Sequence, residues 1–146
     1  MKTLPADAPC PCGRLDESKG KNGHAPVLTY GECCGPLHGA HPVTGPFAPD
    51  AHSLMRARYS AYVLENIQFL LNTWERNTRP PQIEFEPGIK WLGLQVRSYC
   101  DTGPGHAEVE FVARYKLPQG PAVRLHEHSR FNCGAGQWLY VDGDTL

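Results

Sequence analysis

Four of the chain's six cysteines fall within residues 10–35, as two tight pairs: Cys10-x-Cys12 and the adjacent Cys33-Cys34. The stretch that holds them is punctuated by Gly and Pro and has few large apolar side chains, too few to bury a core of its own. Residues 1–45 therefore need a metal, a docking surface or freedom to be disordered. Core-forming residues recur densely only from Leu54 onward, so the chain divides into a cysteine-bearing segment, 1–45, and a body, 46–146.

Two short-range cysteine pairs brought together by a loop are a common way to build a tetrahedral zinc site, and four thiolates leave such an ion no open position for water. The expected cofactor is one structural zinc ion held by Cys10, Cys12, Cys33 and Cys34. Pro11, Gly13, Gly31 and Gly35 permit the sharp turns that such tight pairs demand. Lys19 and Lys21 are available to moderate the negative charge. Two alternatives stay open: thiolates alone do not choose between zinc and an iron–sulfur cluster, and His24, His38 or His41 could replace one cysteine.

The N-terminus "MKTLPADAPCPCG" lacks an apolar signal core, and no stretch is long and apolar enough to cross a membrane. A cytoplasmic location is expected, where clustered cysteines serve metal or redox chemistry more readily than disulfides. Formal net charge is −1 with a pI near 6.6, and both parts are close to neutral. That gives no support to a general nucleic-acid binder.

In the body, "APDAHSLMRARYSAYVLEN" predicts a helix capped by Asp50, with Leu54, Met55, Tyr59, Tyr62 and Val63 on one face. "NIQFLLNTW" predicts a second, shorter helix capped by Asn66, ended before the prolines of "NTRPPQ". Five strands are expected at "IEF", "KWLGLQVRSYC", "HAEVEFVARYKL", "AVRLHEHSRFN" and "QWLYVDG", separated by turn residues at hairpin lengths. Helices followed by a meander of strands imply an α+β fold, a bent antiparallel sheet curled around its helices.

"CPCG…YGECCG" resembles the SEC-C zinc motif: Cys10, Cys12, Gly13, Tyr30, Cys33, Cys34 and Gly35 match it position by position. Two departures stand out. The interval between the pairs is longer than usual by about a dozen residues, and the usual lysine-rich run before the second pair is missing. Further blocks, "APDAHSLMRARYSAYV", "LLNTWERNTRP", "WLGL", "VEFVARY", "LHEHSRF" and "GQWLYVDG", together resemble the YchJ-like bacterial family of SEC-C proteins. The resemblance implies a nuclear-transport-factor-two-like (NTF2-like) cone for the body and carries no established activity with it. The same motif forms the C-terminal tail of the bacterial preprotein translocase ATPase, which by analogy suggests protein export or translation as a setting.

Two charged residues interrupt apolar patterns. Glu127 shares a strand face with Val123, Leu125, Ser129 and Phe131, and Arg58 lies within the apolar arc of the first helix. They are expected either to meet as a buried ion pair bracing helix to sheet, the favoured reading, or to line one pocket with Tyr59, Tyr62, Trp91 and Ser129. His126 and His128 share the opposite strand face, where a solvated surface is expected in preference to a second metal site. Cys100 and Cys133 read as inert thiols. Trp74, Trp91 and Trp138 read as core aromatics.

The leading functional expectation is a non-enzymatic, zinc-containing protein-interaction module with a protein partner. The first alternative is a small-molecule binder or enzyme using the cone, with Glu127 as acid/base and Arg58 orienting an anion. The second is a thiol-based zinc or redox sensor.

Overall fold

The computed structural model describes residues 1–146. Three helices, α1 (Gly35–His38), α2 (Ala51–Val63) and α3 (Ile67–Asn72), precede four strands. These are β1 (Lys90–Gly103), β2 (His106–Lys116), β3 (Ala122–Gly134) and β4 (Gln137–Thr145), joined as an antiparallel meander in the order β1-β2-β3-β4. Register shifts between Trp91 and Gly93, Val96 and Ser98, and Asp101 and Gly103 interrupt the β1–β2 ladder, and another lies between Arg130 and Phe131. Such bulges add twist and bend, and the sheet curls around α2 and α3. The α+β expectation holds.

Both caps are as the sequence implies. Asp50 Oδ1 accepts from Ser53 N at 2.7 Å, and Asn66 Oδ1 accepts from Phe69 N at 3.1 Å. "IEF" forms no strand: residues 83–85 lie between Pro80-Pro81 and Pro87-Gly88, without a ladder partner. The segment crosses the open end of the cone instead, and Phe85 packs edge-on against Tyr62 with ring centroids 6.2 Å apart.

Helix α2 departs most from expectation. A single apolar face is predicted, yet Ser53, Arg58, Ser60 and the alanines 51, 57 and 61 are buried along with Leu54, Met55 and Tyr59. One side of the helix meets the sheet; the other carries the cysteine segment. Small residues on that second side let backbone approach backbone. Cys10, Cys12 and Cys34 accordingly join the same buried cluster as Leu54, Met55, Val109 and Phe131.

The long interval between the cysteine pairs forms a narrow arm. Isolated bridges pair Pro9 with Thr29, Leu15 with Val27 and Lys21 with His24. Cys10 N donates to Leu28 O at 2.9 Å, and Leu28 N donates to Arg14 O at 2.8 Å.

Candidate functional site: a cysteine centre and a cone pocket

The turns that shape the cysteine centre depend on two glycines. Gly13 follows Cys12 with φ +71°, a left-handed conformation that a side chain would strain. Gly35 follows Cys34 so closely beneath the preceding turn that a Cβ there would lie 2.7 Å from Tyr30 O. These turns bring the Sγ atoms of Cys10, Cys12, Cys33 and Cys34 within 4.8 Å of one another. The Cys12–Cys33 separation is 3.6 Å and the Cys33–Cys34 separation 3.9 Å. A tetrahedron with Zn–S bonds of about 2.3 Å has edges of about 3.8 Å. The donor set and its spacing fit one four-coordinate ion.

As thiols, the four share hydrogen bonds that pull their acidities apart, with Cys12 lowered to about 7. Hydrogen bonds from Cys12, Cys33 and Cys34 push Cys10 far below the ordinary thiol range. Bonds to Cys10 and then Cys12 push Cys33 and Cys34 far above it. A divalent cation removes that spread by stabilising all four thiolates.

Helix α2 supplies the surroundings. Ser60 Oγ, fully buried, donates to Cys34 Sγ at 3.3 Å and lies 3.7 Å from Cys10 Sγ. Arg56 Nη1 donates to Cys12 O at 3.0 Å, and Arg14 Nη1 donates back across to Ser53 Oγ at 2.9 Å. His38 Nε2 lies 2.8 Å from Ala57 O, and a carbonyl can only accept, so Nε2 carries the proton. His38 Nδ1 then accepts from the Tyr30 hydroxyl at 2.7 Å. Burial, which lowers the His38 pKa, agrees with this neutral tautomer.

The second feature is a cavity of about 410 Å³ between α2, the inner face of the sheet and residues 84–89. Its lining is mostly apolar and aromatic, with Arg58 and Glu127 both on its wall. They form no direct ion pair, which corrects the favoured brace reading. Arg58 Nη1 donates to Leu70 O and Thr73 Oγ1, each at 2.8 Å. Its guanidinium lies 4.8 Å from the Trp74 ring centroid and 4.6 Å from that of Tyr140. Burial lowers the Arg58 pKa to about 10, still far above neutrality, so the side chain stays charged.

Glu127 Oε1 accepts from Ser129 Oγ at 2.7 Å and from the Tyr140 hydroxyl at 3.0 Å. Room for that carboxylate comes from Gly143 on β4, where a Cβ would lie 2.8 Å from Glu127 Cδ. Desolvation, then the charge of Glu127, raises the Tyr140 phenol, which keeps it a donor. Trp74 Nε1, on the same wall, is buried without an acceptor.

The model of the YchJ middle NTF2-like domain matches residues 50–143. The chain belongs to the YchJ-like family. Among its relatives, a UPF0225 protein of Polaromonas sp. is 55% identical over 138 residues, covering 94% of each chain. Another from Xanthomonas oryzae is 44% identical over 144 residues, or 97% of this chain and 98% of that one. Two solved structures share the fold. The solution structure of a SEC-C motif-containing protein from Rhodopseudomonas palustris aligns with a TM-score of 0.70 at 28% identity, over 82% of this chain and 94% of that one. The crystal structure of a SEC-C motif-containing protein from Psychrobacter arcticus aligns with a TM-score of 0.74 at 27% identity, over 94% of this chain and 82% of that one.

In this YchJ-like chain the four motif cysteines converge and the three candidate histidines stay outside their cluster. Both His38 nitrogens are engaged, His41 Nδ1 accepts from Val43 N and Thr44 N, and His24 is exposed. Lys19 is drawn to Asp16 at 3.8 Å, and Lys21 sits exposed in the turn of the arm. Tyr59, Tyr62, Trp91 and Ser129 line the cavity with Arg58 and Glu127. His126 and His128 face Glu110 and Glu108 at 3.1 and 3.4 Å, and Arg130 beside them bridges Asp142 and Asp144. That face of the sheet is a ladder of charges. Strands β1 and β3 run on through Cys100 and Cys133, both free thiols. Trp138 packs partly buried against the core.

Sequence reasoning missed Ser60, Tyr140 and Gly143. A serine inside a helix and a glycine inside a strand each depart from local propensity, which was the available signal.

Proposed function

We propose that this YchJ-like protein is a non-enzymatic binding module in which a structural zinc fastens residues 1–45 to the cone and the cone receives a small molecule. The observation that carries this reading is the apolar cavity of about 410 Å³ whose wall holds Arg58 and Glu127 without pairing them to each other. A volume in the range of about 300–1,000 Å³ with few convergent polar groups is typical of ligand sites. The buried Trp74 Nε1–H, which lacks an acceptor, adds a donor that a ligand could satisfy. Four thiolates would saturate the zinc, so the metal's contribution is structural.

Compared with the partner-protein reading, this one places recognition inside the cone rather than on the cysteine segment. The test is native mass spectrometry of freshly purified protein, followed by extraction of bound small molecules. Leu125→Trp, which pushes a larger side chain into the cavity, serves as the control. A bound species lost in Leu125→Trp while one zinc per chain remains supports the proposal. If wild type and Leu125→Trp show identical spectra, and no compound from a small-molecule collection shifts the wild-type melting temperature, the cone reading fails. A protein partner captured through the cysteine segment would then be the better account.

A further inference from the structure

The geometry points to an organic cation, an ammonium carried on an apolar or aromatic body, as the class of molecule the cone accepts. This inference rests on the cone-binding reading and deepens it. Three carboxylates line the cavity, Glu84, Glu86 and Glu127, against the single cation of Arg58. Neither Glu84 nor Glu86 has an ion-pair partner, and both are exposed at the mouth on either side of Phe85. Two carboxylates without ion-pair partners thus stand at the mouth, with the exposed Lys90 and Lys116 on the adjoining strand ends.

Behind the mouth stands an aromatic enclosure. Trp91 is its centre, 5.5 Å from the Tyr59 ring, 6.1 Å from Tyr62 and 5.3 Å from Tyr115, centroid to centroid. Phe85 closes the group through its edge-on contact with Tyr62. These rings meet at angles from 46° to 82°, so their faces turn in different directions and do not form one stack. Walls of aromatic faces attract a poorly hydrated cation through their quadrupoles, and the attraction is stronger in a desolvated site.

Arg58 argues the other way and has to be weighed. Its guanidinium lies against both the Trp74 and Tyr140 rings, and Nη1 already serves Leu70 O and Thr73 Oγ1. Its Nε and Nη2 have no hydrogen-bond partner, and Trp74 Nε1 beside it lacks an acceptor, so this wall also offers donors to an anion. Glu127, on the same wall, keeps an acceptor of its own. Ser129 and Tyr140 both donate to Oε1, and Oε2 has no hydrogen-bond partner. An ammonium donor can take that oxygen directly.

Three probes of one shape separate the possibilities: 3-phenylpropylammonium, 3-phenylpropan-1-ol and 3-phenylpropanoate. Each is titrated into zinc-loaded protein, following tryptophan fluorescence and indole NMR shifts. The ammonium is expected to bind roughly ten-fold more tightly than the alcohol, with the carboxylate weakest. Glu127→Gln should remove most of that ten-fold preference and leave the alcohol's affinity unchanged. If Glu127→Gln fails to fold, Glu84→Gln/Glu86→Gln carries the test from the exposed mouth. That double variant should weaken the ammonium alone, by about two- to three-fold in low salt.

Tightest binding by the carboxylate would overturn the inference and hand selectivity to Arg58, with the cone-binding reading intact. Equal binding of all three probes would also overturn it, leaving an apolar pocket without charge selection. If no probe binds to wild type, the inference fails, and the cone-binding reading falls with it if extraction also finds nothing.

Discussion

The cysteine centre and the cone cavity lie on two sides of the same helix, and they keep their shapes by different means. The centre is assembled from residues close in sequence, two pairs joined by an arm, and its surroundings are hydrogen bonds from Ser60, Arg56 and Tyr30. The cavity is assembled from residues spread from Met55 to Tyr140, and its shape is set by sheet curvature and aromatic packing. A site of the first kind is as strong as its ligand bonds. One of the second kind is as strong as the whole core, and losing the metal should separate them.

Removing zinc is the largest break in that comparison. Chelation, or Cys12→Ser, should expose amides 1–45 to hydrogen exchange, because metal-binding energy in such segments is folding energy. Strand amides such as Val109 and Phe131 should stay protected, since both sit in the core of the sheet. Unchanged exchange across residues 1–45 after zinc removal would show that docking on α2 alone holds the segment.

Arg58→Met probes the other side. It leaves Leu70 O without its guanidinium donor in a buried setting, a loss of about 1.5–3 kcal/mol for hydrogen bonds to a charged group. Urea denaturation should show that loss with zinc content unchanged. Loss of the stoichiometric ion would mean that the cysteine centre cannot form without the cavity side, beyond the change in affinity that a shared helix transmits.

Ser60→Ala is a finer cut. It removes one donor to Cys34 Sγ and leaves the four cysteines in place. Changes of this kind around ligating atoms cost roughly 10–100-fold in metal affinity. Competition with a chromogenic chelator would read it, and Ser60→Thr should restore part of the effect. Equal zinc affinity in Ser60→Ala and wild type would remove Ser60 from the metal's environment.

At neutral pH the smallest effect expected is electrostatic. Burial, then the charges of Arg56 and Arg14, lowers the His52 pKa to about 4, while its ring stacks on Tyr99 at 4.4 Å. The ordinary histidine value is about 6.5, so the unfolded chain binds the proton first as pH falls. His52 thus favours the folded state above about 6.5, and that contribution is lost as pH drops from there through 4. An NMR titration of the His52 ring should find its midpoint near the lower value; a midpoint near 6.5 would show that the stack and the Arg56 contact do not persist in solution.

The sequence displays these two regions unequally. The cysteine pairs, the Asp50 and Asn66 caps and the alternation along β2 are local signals, and each maps onto the structure directly. "IEF" misled because three apolar-rich residues satisfy a strand pattern whether or not a neighbouring strand exists. The Arg58–Glu127 pairing misled for a related reason. Periodicity correctly directs both side chains inward, but it cannot see that Thr73 and Tyr140 are nearer partners. Ser60 stood out only as a polar residue within a helix, and its role was hidden because its partners, Cys34 and Cys10, are 26 and 50 residues away.

Helix α2 is buried nearly all round, so it has little solvent-facing surface on which to shift. Arg58 and Tyr59, on the cavity side, are neighbours in the chain of Ala57 and Ser60, which hold His38 and Cys34. A rigid turn cannot move one pair and leave the other at rest. On the reading proposed above, zinc and a cone ligand would share a coupling free energy through this turn, and such coupling is reciprocal. Whatever fills the cone should raise the affinity for the metal by the same factor by which the metal tightens its hold on the ligand.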